Sequence, residues 1–441
     1  MAGAAVTGYR SAGAVNPVTV NSFAGEIGAL RPAVRDLVRR RMDVLAPAYR
    51  LMYAEPLDVS RAAGAYLFDR DGRRYLDLYN NVPGIGHSHP KVAEAVATAL
   101  TEANPHTRYL SEAVVDYAER LLETFAVEAR PPDRVQFCCT GTEANDLAVR
   151  IARAAAGRVG VIVTQHAYHG SGGLAVEASP SVAPGEDWVF AVPAPLDGDP
   201  AAFAASVSAA AAELDARGFG CAALLLDSAF TSDGVVTDPI GLLGPAYAAA
   251  RAAGGLVIAD EVQPGFGRLG DGWWGHARHG VVPDLITLGK PMGNGLPIAA
   301  VVSRSEIFAA YEPAYFNTFA GTPVTVAAAR TVLDVIIADG LIEHARSVGA
   351  RLLGGLQGLF GPAAVRGAGL YAAVDIHDPA GRPDPAATAG LIAALRRRQI
   401  LVSATGPGGS TLKIRPPLVV TEADIDHFLE VLDDELPRLV G

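Results

Sequence analysis

The chain has 441 residues, half of them apolar, and its 47 acidic and 36 basic residues give a formal net charge of −11 at pH 7. This length exceeds one ordinary hydrophobic core, so we expect two domains or one large domain with additions. The acidic balance argues against nucleic acid or an anionic membrane as a partner. No apolar run reaches the ~18 residues that a membrane span requires.

The three cysteines are Cys138, Cys139 and Cys221, an odd number without C-x-x-C spacing. This pattern argues against a disulfide framework or a zinc site and predicts a reducing, cytoplasmic location. The first twenty residues lack the apolar core of a signal peptide. We expect them to be flexible, or to order only against a partner subunit.

The N-terminal part combines a basic, partly helical stretch at 35–49 with a predicted hairpin around Asp71-Gly72. A loop rich in glycine and proline follows and leads into a predicted helix at 90–103. The loop contains His87 and His89, which are candidates for metal binding. Because no third ligand lies nearby in the sequence, a role in fixing the loop is favoured.

Between residues 134 and 302, short apolar runs alternate with segments of helical periodicity. The predicted strands lie at 134–139, 159–164, 221–226, 256–259 and 285–288, and the predicted helices at 143–156, 201–216 and 243–253. This alternation is typical of a mostly parallel sheet covered by helices.

The pattern changes near residue 324. It then predicts a long helix at 324–339, a strand at 369–376, a helix ending at 399, a strand at 411–414 and a last helix capped by Thr421. We therefore predict an N-terminal segment at 1–75 that joins a small α/β domain at 326–441, with a large domain at 76–325 between them.

Two of the predicted strands lead directly into a functional group: Asp260 follows the strand at 256–259, and Lys290 follows the strand at 285–288. Ligands of open α/β sheets bind at the carboxyl ends of the strands, where both groups would lie. A carboxylate and an amine there suit pyridoxal phosphate, which has a basic ring nitrogen and an aldehyde. The alternatives are a helix cap or structural ion pair for Asp260 and a solvated lysine for Lys290.

The scarcity of lysine favours a chemical role for Lys290. Only Lys91, Lys290 and Lys413 are lysine among the 36 basic residues, so 33 are arginine. Arginine could replace a solvated lysine, but it cannot form a Schiff base. Of the three lysines, only Lys290 lies between a buried strand and a glycine-rich turn, PMGNGLP, which lets backbone approach a ligand closely.

The turn TGT before the helix at 143–156 leaves the backbone N–H groups of Gly141 and Thr142 free at a helix N-terminus. Such groups bind anions, so the turn is a candidate phosphate site, and an ordinary turn capped by threonine is the alternative. After the strand at 159–164, Tyr168 or His169 is a candidate to lie flat on a cofactor ring. The alternative there is a buried aromatic residue.

The glycines of GFGRLG at 265–270 match the dinucleotide fingerprint G-x-G-x-x-G after a strand. The residues that follow include a tryptophan pair rather than a periodic helix, which disfavours dinucleotide binding at this turn. No G-x-x-x-x-G-K-[ST] motif occurs in the chain, which disfavours nucleotide hydrolysis.

The motifs TGTEAND, HAYHG, ADEVQPGFGR, GKPMGNGLP, FNTFAGTP and IRPPL follow the order found in class III aminotransferases. Over residues 60–430 the chain resembles this family. The resemblance implies fold type I of the pyridoxal phosphate transferases, an α/β fold whose large domain has a mostly parallel seven-stranded sheet covered by helices, plus a smaller α/β domain. It also implies a homodimer with shared active sites and a small amine or amino acid as substrate.

The matched motifs imply a role for each candidate residue. Lys290 would carry the cofactor as the internal aldimine and shuttle the proton, and Asp260 would pair with the pyridine nitrogen. The resemblance also implies the other contacts with the cofactor. Gly141 and Thr142 would bind its phosphate, and Thr318 would bind the phosphate of the neighbouring subunit. Tyr168 and Val262 would pack on the two faces of the ring, and Gln263 would lie near the phenolic oxygen.

Within the family, the chain resembles the branch that contains the phosphoethanolamine and phosphohydroxylysine phospho-lyases and the alanine–glyoxylate aminotransferase 2-like enzymes. Where most class III aminotransferases have an arginine that grips the substrate carboxylate, this chain has Lys413, with Arg415 nearer the prolines, and Asp227 replaces the usual glutamate. Lysine cannot make the bidentate fork with a carboxylate. The candidate substrate residues are Lys413, Arg415, Asp227 and Arg108.

We therefore expect an aminotransferase that acts on an amine or amino acid through an external aldimine, without a metal. The alternative is elimination or replacement at the β or γ carbon, for which a phospho-lyase is the nearest model. A more remote alternative is a binding protein that retains the fold.

Overall fold

The computed structural model describes residues 21–23 and 25–436, and the expectation for the first twenty residues lies outside this range. The strands of the described chain are β1 (Val59–Ala63), β2 (Tyr66–Asp69), β3 (Arg74–Asp77), β4 (Arg134–Cys138), β5 (Gly160–Thr164), β6 (Val189–Val192), β7 (Cys221–Asp227), β8 (Leu256–Asp260), β9 (Leu285–Leu288), β10 (Ala299–Ser303), β11 (Val365–Ala368), β12 (Tyr371–Asp375), β13 (Ile400–Leu401), β14 (Ser403–Thr405) and β15 (Thr411–Ile414).

The helices of the described chain are α1 (Pro32–Val44), α2 (Pro90–Glu102), α3 (Glu112–Glu123), α4 (Gly141–Ala156), α5 (Gly173–Glu177), α6 (Pro200–Ala216), α7 (Leu243–Ala252), α8 (Ser305–Phe308), α9 (Pro323–Ala338), α10 (Leu341–Phe360), α11 (Pro385–Arg397) and α12 (Glu422–Glu435). None of these helices combines the length and the hydropathy that crossing a bilayer requires.

The central layer is a seven-stranded sheet with the order β4-β10-β9-β8-β7-β5-β6. Strands β6, β5, β7, β8 and β9 run parallel, and β10 pairs antiparallel with both β4 and β9. The expected mostly parallel seven-stranded sheet is therefore confirmed. The carboxyl ends of the five parallel strands meet at one edge, which is where the candidate residues lie.

Helices cover both faces of this sheet because its central strands are apolar on both sides. On β5, Val161 and Val163 pack with Leu147 of α4, whereas the intervening Ile162 packs with Phe203 of α6. Helix α4 begins where the Thr140 hydroxyl accepts a hydrogen bond from the backbone N–H of Glu143 at 3.2 Å. It ends at Gly157, whose φ of 63° is a left-handed cap.

Two four-stranded sheets complete the fold, with the orders β1-β2-β3-β13 and β11-β12-β15-β14. Strand β3 of the N-terminal hairpin pairs in parallel with β13, so the N-terminal and C-terminal parts of the chain share a sheet. Strand β15 lies between β12 and β14 and leads directly into the segment that carries Arg415. The C-terminal sheet thereby delivers cationic side chains to the edge of the central sheet.

The loop before α2 is held by a hydrogen bond from one of its two histidines, which agrees with the loop-fixing interpretation for that residue. His87 Nε2 lies 2.8 Å from Oδ2 of Asp77, at the end of β3. Among residues 21–23 and 25–436, no group of three or more His, Cys, Asp or Glu side chains is arranged to hold a metal ion. The glycine motif at 265–270 lies in turns and does not open an α-helix.

Candidate active site

Three neighbouring strands bring the candidate residues to one edge of the central sheet. Asp227 at the end of β7 is the register partner of Asp260 at the end of β8, and Asp260 is in turn the partner of Thr287 on β9. Lys290 follows β9 after one glycine and opens the short 3-10 turn Lys290–Gly293. The buried strands therefore gather two carboxylates and one amine.

The Asp260 carboxylate is held in a fixed orientation from three directions. Its Oδ2 accepts hydrogen bonds from Asn145 Nδ2 at 2.8 Å and from His169 Nδ1 at 2.7 Å. Its Oδ1 accepts one from the backbone N–H of Val262 at 3.0 Å. A carboxylate held by three hydrogen bonds is well oriented to accept a further one from a donor in front of it.

The amine of Lys290 lies in an environment that favours its neutral form. Burial, and then the nearby Arg415 guanidinium, lower the pKa of Lys290 to about 8, although Asp260 and Asp227 act in the opposite direction. A lysine with a depressed pKa has a larger neutral fraction at pH 7 than a solvated one, and the neutral amine is the nucleophile that attacks an aldehyde.

The start of α4 lies against the loop that follows Asp260. A Cβ added to Gly141 would lie 2.9 Å from both methyl carbons of Val262, and one added to Gly289 would lie 3.2 Å from Cγ1 of the same valine. The two glycines therefore let three segments converge beside Lys290. In the first turn of α4, the N–H groups of Gly141 and Thr142 have no acceptor within the helix and are available to an anion.

Lys413 and Arg415 bring two basic side chains to the same place, and each is at most 6% exposed. The Arg415 guanidinium donates to Oε1 of Gln263 and, at 3.2 Å, to the carbonyl of Tyr79. Burial, followed by the charges of Arg415 and Lys290, holds the pKa of Lys413 well below its usual value. Among the described residues, no carboxylate lies within ion-pair distance of either cation.

Asp227 serves as the cap of the turn that follows β7. Its side chain accepts hydrogen bonds from the backbone N–H groups of Ala229 at 2.9 Å and Thr231 at 3.3 Å. Burial and the neighbouring charge of Asp260 raise the pKa of Asp227 to about 6. At neutral pH this carboxyl is close to its titration range.

The other candidates are more exposed. Tyr168 and Thr142 are half-buried, and the Thr142 hydroxyl accepts a hydrogen bond from the backbone N–H of Ser171 at 3.3 Å. Thr318 and Arg108 are exposed, and the Arg108 guanidinium lies 5.6 Å from the centroid of the Phe316 ring. The structure therefore brings together Lys290, Asp260, Gly141, Val262, Gln263, Asp227, Lys413 and Arg415, and leaves Thr318 and Arg108 at the surface.

The sequence did not indicate which side chains hold Asp260 in place. Asn145 bonds to Asp260, and its Oδ1 accepts a 2.6 Å hydrogen bond from the Thr287 hydroxyl. His169, a candidate to lie on a cofactor ring, is nearly fully buried and contacts Asp260. One signal was available, because Asn145 shares a helical face with Ala148 and Ala152, and a polar residue in an apolar stripe needs a partner.

These residues fit pyridoxal phosphate. The N-terminus of α4 matches a phosphate, Asp260 matches a protonated pyridine nitrogen, and Lys290 matches an aldehyde. The close approach of Gly141 and Gly289 to Val262 makes a cradle that larger side chains would fill.

Comparison with known proteins identifies the family. The model of class III aminotransferases matches residues 49–436. The ethanolamine-phosphate phospho-lyase homolog 1 of Caenorhabditis elegans is 36% identical over 91% of this chain and 93% of that protein. The alanine–glyoxylate aminotransferase 2-like protein of Drosophila melanogaster is 35% identical over 89% of this chain and 85% of that protein.

A solved structure gives the same result. The phospholyase from Arthrobacter in complex with phosphoethanolamine aligns with a TM-score of 0.86 and 39% identity, covering 91% of this chain and 99% of that chain. The chain belongs to the class III aminotransferase family. It is a pyridoxal phosphate-dependent enzyme of this family, as its resemblance implied.

Proposed function

We propose that this enzyme is a phospho-lyase, which eliminates phosphate from a small primary amine phosphorylated on the neighbouring carbon. The observation that carries this proposal is the buried pair Lys413 and Arg415, which has no carboxylate partner among the described residues. Burying basic side chains without an ion-pair partner is costly, so such a pair is best explained by an anion that binds there. A phosphate dianion provides two negative charges, whereas a carboxylate provides one.

The type of cation also favours phosphate over a planar carboxylate. A carboxylate is best recognised by the two parallel donors of an arginine fork. Arg415 already uses part of its guanidinium on Gln263 and on the Tyr79 carbonyl. Lys413 is a compact point charge with three donors, which suits a tetrahedral anion.

Each side chain then has a defined part in the reaction. When bound, pyridoxal phosphate supplies an electron sink for the bond that breaks at the carbon bearing the amine. Asp260 keeps the ring nitrogen protonated, and Lys290 removes the proton from that carbon, a step worth ~10²–10⁴ in rate. Lys413 and Arg415 bind the phosphate as it leaves with the electron pair of the C–O bond. Water then releases ammonia and an aldehyde.

Phosphoethanolamine, the compound bound to the Arthrobacter relative, is the first substrate to test. We expect phosphate and ammonia to be released in equal amounts without any 2-oxo acid. Lys413→Met should raise KM at least tenfold, whereas Lys91→Met, the same change at an exposed lysine, should leave KM within twofold. Phosphate release that is absent across a panel of phosphorylated amines would contradict the proposal.

Transamination is the second candidate, and the name of the Drosophila relative favours it. It would use the same Lys290 and Asp260 but would require a 2-oxo acid as acceptor. It would also convert the cofactor to its amine form in a single turnover without releasing phosphate. The spectrum of the cofactor after one turnover therefore distinguishes the two reactions.

We also propose that the enzyme is a homodimer in which Thr318 completes the phosphate site of the neighbouring subunit. Support comes from exposed apolar residues: Phe319 and Phe316, which flank Thr318 in the sequence, are 71% and 52% exposed, and Leu110 in the loop before α3 is fully exposed. Large exposed apolar side chains are typical of a subunit interface. Leu110→Asp should weaken the dimer in sedimentation experiments, and Val127→Asp, at another exposed apolar residue, should not.

A mixing experiment tests the shared site directly. Lys290→Ala and Thr318→Ala subunits should each be impaired alone. If Thr318 acts across the interface, a mixed dimer contains one site with both residues intact, and activity returns on subunit exchange. If Thr318 acts within its own subunit, no mixed site is intact and mixing restores nothing.

A further inference from the structure

A fully buried histidine lies between two carboxylates close to the candidate site. His276, in the 3-10 turn Gly275–His279, has Nδ1 2.9 Å from Oε1 of Glu261 and Nε2 2.8 Å from Oε1 of Glu128. Each ring nitrogen faces a carboxylate oxygen, so both donate and the ring is charged. Burial lowers the pKa of His276, but the hydrogen bonds to Glu128 and Glu261 outweigh it and raise this pKa to about 9.

Glu261 connects this histidine to the ends of two strands. It directly follows Asp260, and its carboxylate accepts hydrogen bonds from the Ser228 hydroxyl at 2.8 Å, the Gly275 N–H at 2.7 Å and the His276 N–H at 2.8 Å. Ser228 is the residue after Asp227. One carboxylate therefore ties together the segments that leave β7 and β8.

Glu128 accepts the hydrogen bond from the other nitrogen of the His276 ring. It lies in the segment that follows α3, and the nearby Phe125 stacks on Trp274 with ring centroids 4.5 Å apart. The turn that carries His276 is therefore fixed by aromatic packing as well as by charge. The two contacts connect the loop after β8 to the segment that follows α3.

We propose that the Glu128–His276–Glu261 triad positions the Asp260–Gln263 segment for the cofactor, with His276 acting as a positioning residue. Through Glu261 it would hold Asp260 opposite the ring nitrogen and Val262 against the ring face. The inference rests on the proposed roles of Asp260 and Val262, but it holds for either elimination or transamination.

The test compares the same substitution at two histidines of one turn. His276→Phe removes both contacts to the carboxylates. His279→Phe changes a histidine that is also buried but makes no hydrogen bond to Glu128 or Glu261. Glu128→Gln provides a milder variant, which keeps the shape of the side chain but removes one of the two negative charges.

Two readouts report on the cofactor site rather than on folding. The dissociation constant for pyridoxal phosphate should rise about tenfold in His276→Phe, as expected when a charge-assisted hydrogen bond is lost. The pH midpoint of the visible band of the bound cofactor should rise by about half a unit. Without His276 the negative charge of Glu261 is no longer balanced, and it favours the protonated form of the cofactor. Glu128→Gln removes a negative charge instead of a positive one, so it should weaken cofactor binding by a smaller amount without raising the midpoint, and His279→Phe should leave both values unchanged.

The result that overturns the inference is an unchanged affinity and an unchanged midpoint in both His276→Phe and Glu128→Gln, or an equal shift in His279→Phe. If His276→Phe does not fold, the cofactor affinity of Glu128→Gln is compared with that of His279→Phe instead. A wild-type protein that binds no pyridoxal phosphate would instead contradict the proposed roles of Lys290 and Asp260, so the two failures can be told apart.

Discussion

His169 donates from Nδ1 to Oδ2 of Asp260 at 2.7 Å, on the same carboxylate oxygen that accepts the 2.8 Å hydrogen bond from Asn145. The two donors come from the loop after β5 and from helix α4, so two independent elements fix one oxygen. The opposite oxygen is held by the backbone of the loop that follows Asp260. Asp260 therefore has little freedom to turn away from a cofactor.

Asn145→Leu should weaken the binding of pyridoxal phosphate about tenfold, because one of the two side-chain donors to Asp260 is lost. It should also lower the free energy of unfolding by about 1–3 kcal/mol, because the Thr287 hydroxyl loses its acceptor inside the protein. Equilibrium titration of cofactor into the apoenzyme and urea unfolding measure the two effects. Equal cofactor affinity in Asn145→Leu and wild type would contradict this role.

Gly141→Ala tests how tightly α4 approaches the loop after β8. The new methyl group would lie 2.9 Å from Cγ1 and Cγ2 of Val262, so α4 or the valine must shift. We expect a loss of at least tenfold in pyridoxal phosphate affinity. Val262→Ala removes both opposing methyl carbons. In that background, adding Gly141→Ala should therefore cost little further cofactor affinity.

The control for this clash is Gly244→Ala in helix α7. Its new methyl group would meet only Val281, at 3.9 Å, which is ordinary contact. Alanine favours a helix over glycine by about 1 kcal/mol, so this variant should be at least as stable as wild type and should bind the cofactor normally. Independent, additive losses in Gly141→Ala and Val262→Ala would show that the two residues do not compete for space.

The central sheet could be predicted because its strands carry strong local signals. Strand β9 was predicted with its observed limits, and β8 and β7 each extend one residue further, to Asp260 and Asp227. Strand β10 and helix α10 were missed. The first is a short apolar run close behind a proline, and the second contains four glycines, which mask a helical pattern. The division at 75 and 325 remains a prediction.

The candidate site could be predicted only where the chain order places a residue at the end of a strand. Lys290 and Asp260 have this property, and the structure brings them to the same edge. The contact of Asp260 with His169 joins residues 91 positions apart. No local pattern specifies which buried histidine meets which carboxylate, so this part of the site required the tertiary structure.

Lys413→Met should have opposite effects on stability and on substrate binding. Because burial and nearby cations hold the pKa of Lys413 well below 10.5, the unfolded chain binds more protons at this residue than the folded chain. The wild-type protein therefore gains stability from this residue as the pH rises towards 10.5, and Lys413→Met should lack that gain. At pH 7 the variant should be more stable by about 1 kcal/mol or more, since replacing a buried charge by an apolar group of similar size is often stabilising.

Urea unfolding of both proteins at pH 6, 7.5 and 9 would measure this difference, which should shrink as the pH rises. The same variant should bind a phosphorylated amine more weakly, so stability and affinity change in opposite directions. A structural lysine would lose stability on substitution. A less stable Lys413→Met at pH 7 would therefore contradict an anion-binding role.

Because the pKa of His276 is raised, we expect the protein to lose stability on the alkaline side of neutrality. The pKa of this residue is raised from 6.5 in the unfolded chain to about 9 in the folded protein, so its stabilising contribution is complete below pH 6.5. The contribution is lost as the pH rises through 9, and the shift corresponds to about 3 kcal/mol. The difference in unfolding free energy between wild type and His276→Phe should therefore be largest near pH 6 and nearly absent at pH 10. A difference that stays constant over this range would mean that the ring is not charged in the folded protein, and that one of the two facing carboxyl groups is protonated instead.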